Sequence, residues 1–339
     1  MAKIIKKYTK KTFSVLCGLI LSLAGWAQGS IVKEHEPARN MVWKEKIVRN
    51  VGFLADTLCQ GRATGTRGGS EAAFRIYRQF QKAGLLPFDS TFVKHFYAGK
   101  GLVGHNLVGM LPGSLKKPCD RYVVVGAHYD HLGNLGGNVY PGADANASGT
   151  VAMVCLADMF SAMKTIGKSY DSNIIFTAFD AKELDMAGSE AMWKMIENGE
   201  LRDPLTGKAV TPDKIRLMVN IDQIGSTLTP LAKGREDYMI MLGTHSLPRE
   251  KREVLQLCNR MYSIDLHIGL DYYGSENFTR IFYGLSDQKV FRDHNVPAVL
   301  FTSGITMNTN RTRDTADSLS PEIMVKRIWL IYHWLTKML

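Results

Sequence analysis

The sequence predicts an α/β sandwich built on a mostly parallel sheet. Three observations point there. Its 339 residues are 45% apolar and 22% charged, ordinary globular usage that excludes collagen-like, coiled-coil and wholly disordered classes. From residue 105 onward apolar strand patterns alternate with helical ones. Several of those strands are continuous apolar runs, as expected where helices bury both faces of a sheet.

Taken in order, the first eleven residues carry Lys3, Lys6, Lys7, Lys10 and Lys11. Phe13 to Ala24 is mostly apolar, and Gly25-Trp26-Ala27 places small residues where a signal peptidase reads. Residues 1–27 are therefore expected to be a signal peptide cleaved after Ala27. The apolar run is shorter than the roughly 20 residues of a membrane span, so no membrane attachment is expected after cleavage, and the protein is placed in the periplasm or outside the cell. Cys17 follows Leu16, not the small residue of a lipoprotein signal. The whole-chain charge of +10 suggests a nucleic-acid binder until this segment is set aside, which leaves 37 bases against 32 acids. That surplus is too small and too dispersed for DNA or RNA.

Residues 28–39 read as a polar lead-in and 40–339 as one domain, since no linker or repeat interrupts them. Helical patterns cover about 41–58 and 70–84, separated by the glycine-rich LCQGRATGTRGG. Strand patterns follow at 105–111, 121–126, 173–179, 215–221, 238–243 and 297–302. The stretch from Gly133 to Gly142 reads as a loop over the cleft. A last helix runs from Pro321 to about Met338, with Ser320 as N-cap and Met324, Ile328, Ile331 and Leu335 as its apolar stripe. Cys59, Cys119, Cys155 and Cys258 allow three disulfide pairings or none, and sequence does not choose.

In open α/β sheets ligands sit beyond the carboxyl ends of the strands. Those ends carry His128-Tyr129-Asp130 after VVVGA, Asp144 at the start of a helix, Lys182-Glu183 after IIFTAFDA, and Asp222 after LMVNI. One imidazole and three carboxylates converge, the ligand set of zinc. Asp130 is placed to accept the second N–H of His128 and fix its tautomer.

These segments, VVVGAHYDHLG, PGADANASG, FDAKELDMAGS and NIDQIG, resemble in order and spacing the metal-binding motifs of family 28 metallopeptidases, the bacterial leucine aminopeptidase-like di-zinc exopeptidases. LCQGRATGTRGG, FRDHNVPAVLF and RDTAD extend the resemblance to about residues 45–335. It implies a three-layer zinc-exopeptidase fold with a mixed sheet of about eight strands. It also implies that Asp144 bridges two zinc ions, that His128 and Asp222 complete one shell, and that Glu183 serves the other.

Two departures stand out beside the minor replacement by Ala145. Where the family has the glutamate that deprotonates the attacking water, this chain has Lys182. Where it has a last histidine ligand, four residues before Asp314-Thr315, this chain has Asn310. Three ligand carboxylates and one ammonium are neutralised by a single divalent ion, so one zinc is expected rather than two, with Lys182 standing in the second ion's place. The resemblance thus implies a zinc aminopeptidase acting on a peptide or protein N-terminus, its activity impaired or lost. The alternative is a non-catalytic relative that binds a peptide or protein in the cleft. A glutaminyl cyclase-like acyl transferase ranks last, because those enzymes use the histidine position that is missing.

Overall fold

The computed structural model describes residues 34–99, 101–114, 116 and 118–339. The expected signal peptide and the first part of the lead-in lie outside these residues. The rest of the lead-in forms a short helix, α1 (Glu36–Arg39). Helices α2 (Lys44–Leu54) and α3 (Arg67–Lys82) follow. The first is shorter than expected because the Asp56 side chain accepts from the Leu58 N–H at 2.9 Å and turns the chain. The second begins earlier, because Thr66 caps it by accepting from Gly69 N at 3.1 Å. Gly68 and Gly69, which signal a loop in sequence, are therefore the first turn of a helix.

Short β1 (Leu86–Pro87), half-exposed β2 (Val93–Gly99) and β3 (Leu102–Leu111) precede β4 (Tyr122–His128). The chain then forms β5 (Gly133–Leu135) and β6 (Asn138–Tyr140), a tight turn over Ala143–Ser148, and α4 (Gly149–Thr165). Next come β7 (Asn173–Phe179), α5 (Ala187–Glu197), β8 (Ile215–Ile221) and β9 (Tyr238–Leu242). The rest is α6 (Val254–Met261), β10 (His267–Gly269), α7 (Glu276–Tyr283), α8 (Gln288–Asp293), β11 (Ala298–Thr302) and α9 (Pro321–Met338).

Nine strands form one mixed sheet in the order β1-β3-β7-β4-β8-β11-β9-β10, with β2 also on β3. The middle, β7-β4-β8-β11, is parallel, and antiparallel pairs join the margins. Along β4, Val123 and Val125 enter one core with α4 and α9, while Tyr122 and Val124 enter the other with α5 and α8. Alternate residues thus serve opposite faces, both apolar. The stripe of α9, Met324, Ile328, Ile331 and Leu335, is fully buried. Ser320 precedes that helix without a side-chain capping bond; Pro321 starts it instead.

The expected loop from Gly133 is a small hairpin, β5-β6, turned by Gly136 and Gly137, both at positive φ. Arg62, with no exposure, holds its base through Pro141 O and Gly142 O. Cys59, Cys155 and Cys258 are buried thiols, and no disulfide joins the four cysteines among the described residues. No helix among the described residues is long and apolar enough to cross a membrane.

Candidate active site

The parallel strands end on one side of the sheet, and their last residues deliver the site. His128 ends β4 and is buried. Its Nε2 lies 3.4 Å from Asp222 Oδ1 just beyond β8, and its Nδ1 lies 3.1 Å from the backbone oxygen of Asp130 and 3.4 Å from its Oδ1. Burial alone would lower the imidazole pKa; the Asp222 charge and the contact with Asp130 outweigh it and push His128 to about 10. Burial works the other way on Asp222, yet His128, Lys182 and the Ser286 hydroxyl, 2.7 Å from Oδ2, hold that carboxyl well below its ordinary range.

Asp144 is set by the turn that starts α4. Its N–H and that of Ala145 donate to the two oxygens of Asp314 at 2.8 and 3.0 Å. Asp144 Oδ1 accepts from Gly225 N at 2.7 Å, while Oδ2 has no partner. Burial and the neighbouring Asp314 charge raise Asp144 to about 7. Gly149 is required here, since a Cβ would stand 2.3 Å from Ile221 O. Only its absence lets α4 start against the end of β8.

The loop after β7 carries Lys182 and Glu183. Asp130 grips it, accepting from Lys182 N at 3.1 Å and Glu183 N at 3.0 Å. Asp130 thus joins two strand ends, a larger role than steadying His128. Lys182 Nζ donates to Glu183 Oε1 at 3.1 Å. Burial would lower the lysine pKa, but the charges of Asp222 and Glu183 and this hydrogen bond raise it above the ordinary value. In these surroundings Lys182 favours its ammonium form.

His131 was not singled out from the sequence, although it is the second imidazole of AHYDH. It is buried, neither ring nitrogen is bonded, and Nδ1 lies 4.0 Å from Glu183 Oε1. Burial, with the Arg62, His128 and Lys182 charges, keeps it neutral by lowering its pKa well below the ordinary value. Asn310, at φ 57°, lines a cavity of about 270 Å³ together with Lys182 and Asp222. The far wall of that cavity is apolar, formed by Leu242, Phe282, Leu285 and Leu300.

A metal test follows from the polar atoms left over. Buried polar groups are normally paired, yet His128 Nε2, Asp144 Oδ2 and Asp222 Oδ1 are each buried without a hydrogen bond. Two donors each about 2.1 Å from a tetrahedral zinc stand about 3.4 Å apart, the separation of His128 Nε2 and Asp222 Oδ1. The donor chemistry of these three atoms is that of zinc ligands. Among the described residues no three His, Cys, Asp or Glu side chains stand together closely enough to hold a metal ion as they are placed, and Lys182 Nζ lies against Glu183.

The sequence model of peptidase family M28 matches residues 106–335. No curated protein matches. Among solved structures, the LapA aminopeptidase of Legionella pneumophila superposes with a TM-score of 0.66 at 18% identity, over 90% of this chain and 74% of that one. An aminopeptidase from Aneurinibacillus sp. strain AM-1 gives 0.63 at 14%, over 89% and 95%. The glutaminyl cyclase of Fimbriiglobus ruber gives 0.65 at 17%, over 87% and 95%. At such identities these likenesses show the fold.

Proposed function

The chain belongs to peptidase family M28, and from that premise we propose that it is an exported, peptide-binding member that holds one zinc ion and hydrolyses peptides weakly or not at all. The observation that carries this reading is the contrast between the two halves of the site. On one side three buried atoms, His128 Nε2, Asp144 Oδ2 and Asp222 Oδ1, make no hydrogen bond, and the first and last stand 3.4 Å apart. On the other, Glu183 is already paired with Lys182.

His128, Asp144 and Asp222 would hold the ion, which supplies Lewis acidity toward a peptide carbonyl. Asp314 fixes the backbone of Asp144, and Ser286 fixes Asp222. Asp130 keeps the Lys182-Glu183 loop beside them. The apolar wall of the cavity would seat the terminal side chain of a peptide, with its scissile bond facing Asp222. Proton removal is what the site lacks, because Lys182 carries its proton firmly. Loss of a general base costs roughly 10²- to 10⁴-fold in rate.

The test is metal content after dialysis together with release from a panel of aminoacyl-anilides. One equivalent of zinc with little turnover supports the reading, and His128→Ala should then hold no ion. Fast turnover with two equivalents would overturn it.

A further inference from the structure

Away from the cleft, α2 and α3 face each other across a groove of about 530 Å³. Its walls carry Lys46, Arg49, Arg75, Arg78 and Lys82, and its one carboxylate, Asp158, is paired with Lys46 at 2.6 Å. Among the described residues the other four cations form no ion pair, so the groove concentrates uncompensated positive charge. Arg75, Arg78 and Lys82 fall at i, i+3 and i+7 on one face of α3, where like charges repel.

A freely solvated basic face would let these side chains spread into water. Arg75 is instead held in place. Its guanidinium lies 5.1 Å from the centre of the Phe53 ring, and its Nη2 donates to Asn50 Oδ1 at 3.0 Å. The same oxygen accepts from Gln79 Nε2 at 2.9 Å. Arg75 Nε is buried with no partner, although buried donors are normally satisfied. A guanidinium fixed by Phe53 and Asn50, among further cations in a concavity of small-molecule size, is the arrangement that recognises tetrahedral oxyanions.

We propose that this groove binds a small polyanion bearing several phosphate or sulfate groups. Arg75 and Lys82 are about 10 Å apart along the helix axis, which favours a short chain of oxyanions over a single one. The site is separate from the metal ligands, and its occupancy does not depend on hydrolysis.

Calorimetric titration of the chain from Gln28 to Leu339, in about 150 mM salt, tests the inference with inorganic phosphate, tripolyphosphate, sucrose octasulfate and anionic phospholipid vesicles. One polyanion should bind per chain at least tenfold more tightly than inorganic phosphate, and the arm that binds identifies the oxyanion as phosphate or sulfate. Arg75→Gln should weaken it at least tenfold. Arg78→Gln with Lys82→Gln, two exposed residues that touch neither Asn50 nor Phe53, should do the same if Arg75→Gln folds poorly. The exposed control pair Arg216→Gln with Arg249→Gln should leave binding unchanged. Absence of binding by both small polyanions, binding of the vesicles alone, or equal weakening by the control pair would overturn the proposal.

Discussion

Lys182 Nζ lies 3.1 Å from Glu183 Oε1, so a basic side chain and the carboxylate next to it satisfy each other at the mouth of the site. The two changes that the charge count couples in the sequence, Lys182 and Asn310, line the same cavity. A buried carboxylate that loses a cation needs another partner. Lys182 is such a partner for Glu183, and on the proposed one-ion reading no second ion would need a ligand at position 310.

The clamp between Asp314 and the Asp144 turn gives a stability prediction. Asp314 is fully buried and accepts two backbone N–H bonds. Hydrogen bonds to a charged group contribute about 1.5–3 kcal/mol each. Asp314→Ala should therefore lower the unfolding free energy in urea by about 3–6 kcal/mol, and Asp314→Asn by less. A loss under about 1 kcal/mol for the alanine variant would mean the turn holds itself.

His333 gives a pH prediction. It is fully buried with neither ring nitrogen bonded, and burial, with the charges of His35, Lys337 and Arg39, lowers its pKa to about 2. The unfolded chain therefore binds the proton that the folded chain refuses. His333 contributes no penalty above the unfolded value near 6.5, and stability falls as pH drops below it, by up to about 1.4 kcal/mol per pH unit. His333→Phe should flatten the slope of unfolding free energy between about pH 6 and pH 4. Parallel slopes for the two proteins would show that water or another group satisfies the ring.

Export is tested by mass. The basic start, apolar run and Gly25-Trp26-Ala27 together predict a mature chain beginning at Gln28. Intact-mass analysis of periplasmic or secreted material should show that terminus, and a chain retaining residues 1–27 would contradict it.

The strands that frame the site are legible because both faces are apolar. VVVG, IIFTAF and LMVNI leave no polar face to confuse the period, and the residues after them fall at the strand ends that gather ligands. The edge strands are not legible in this way. Half-exposed β2 contains Lys94, which reaches Phe88 O and Asp89, and β10 has three residues, so neither carries an apolar run. Asp314 served in the sequence only as a marker for counting back to Asn310; its grip on Asp144 spans a separation of 170 residues and needs the fold. His131 is visible as a residue type, but its lack of partners is a property of packing. The cations of the α2-α3 groove lie far enough apart in sequence that only the helix pairing brings them together.

The central claim is that Lys182 and Asn310 together replace the second ion. Zinc per chain after dialysis, measured for wild type, Lys182→Glu, Asn310→His and the double variant, tests it most directly, with aminoacyl-anilide hydrolysis read alongside. Neighbours sharing one site are non-additive: the single glutamate adds charge without a ligand, and the single histidine faces an ammonium. The expected result is one equivalent in wild type, no gain in either single variant, and two in the double, with hydrolysis raised roughly 10²- to 10⁴-fold. Two equivalents in wild type, with a hydrolysis rate the double variant does not exceed, would contradict it.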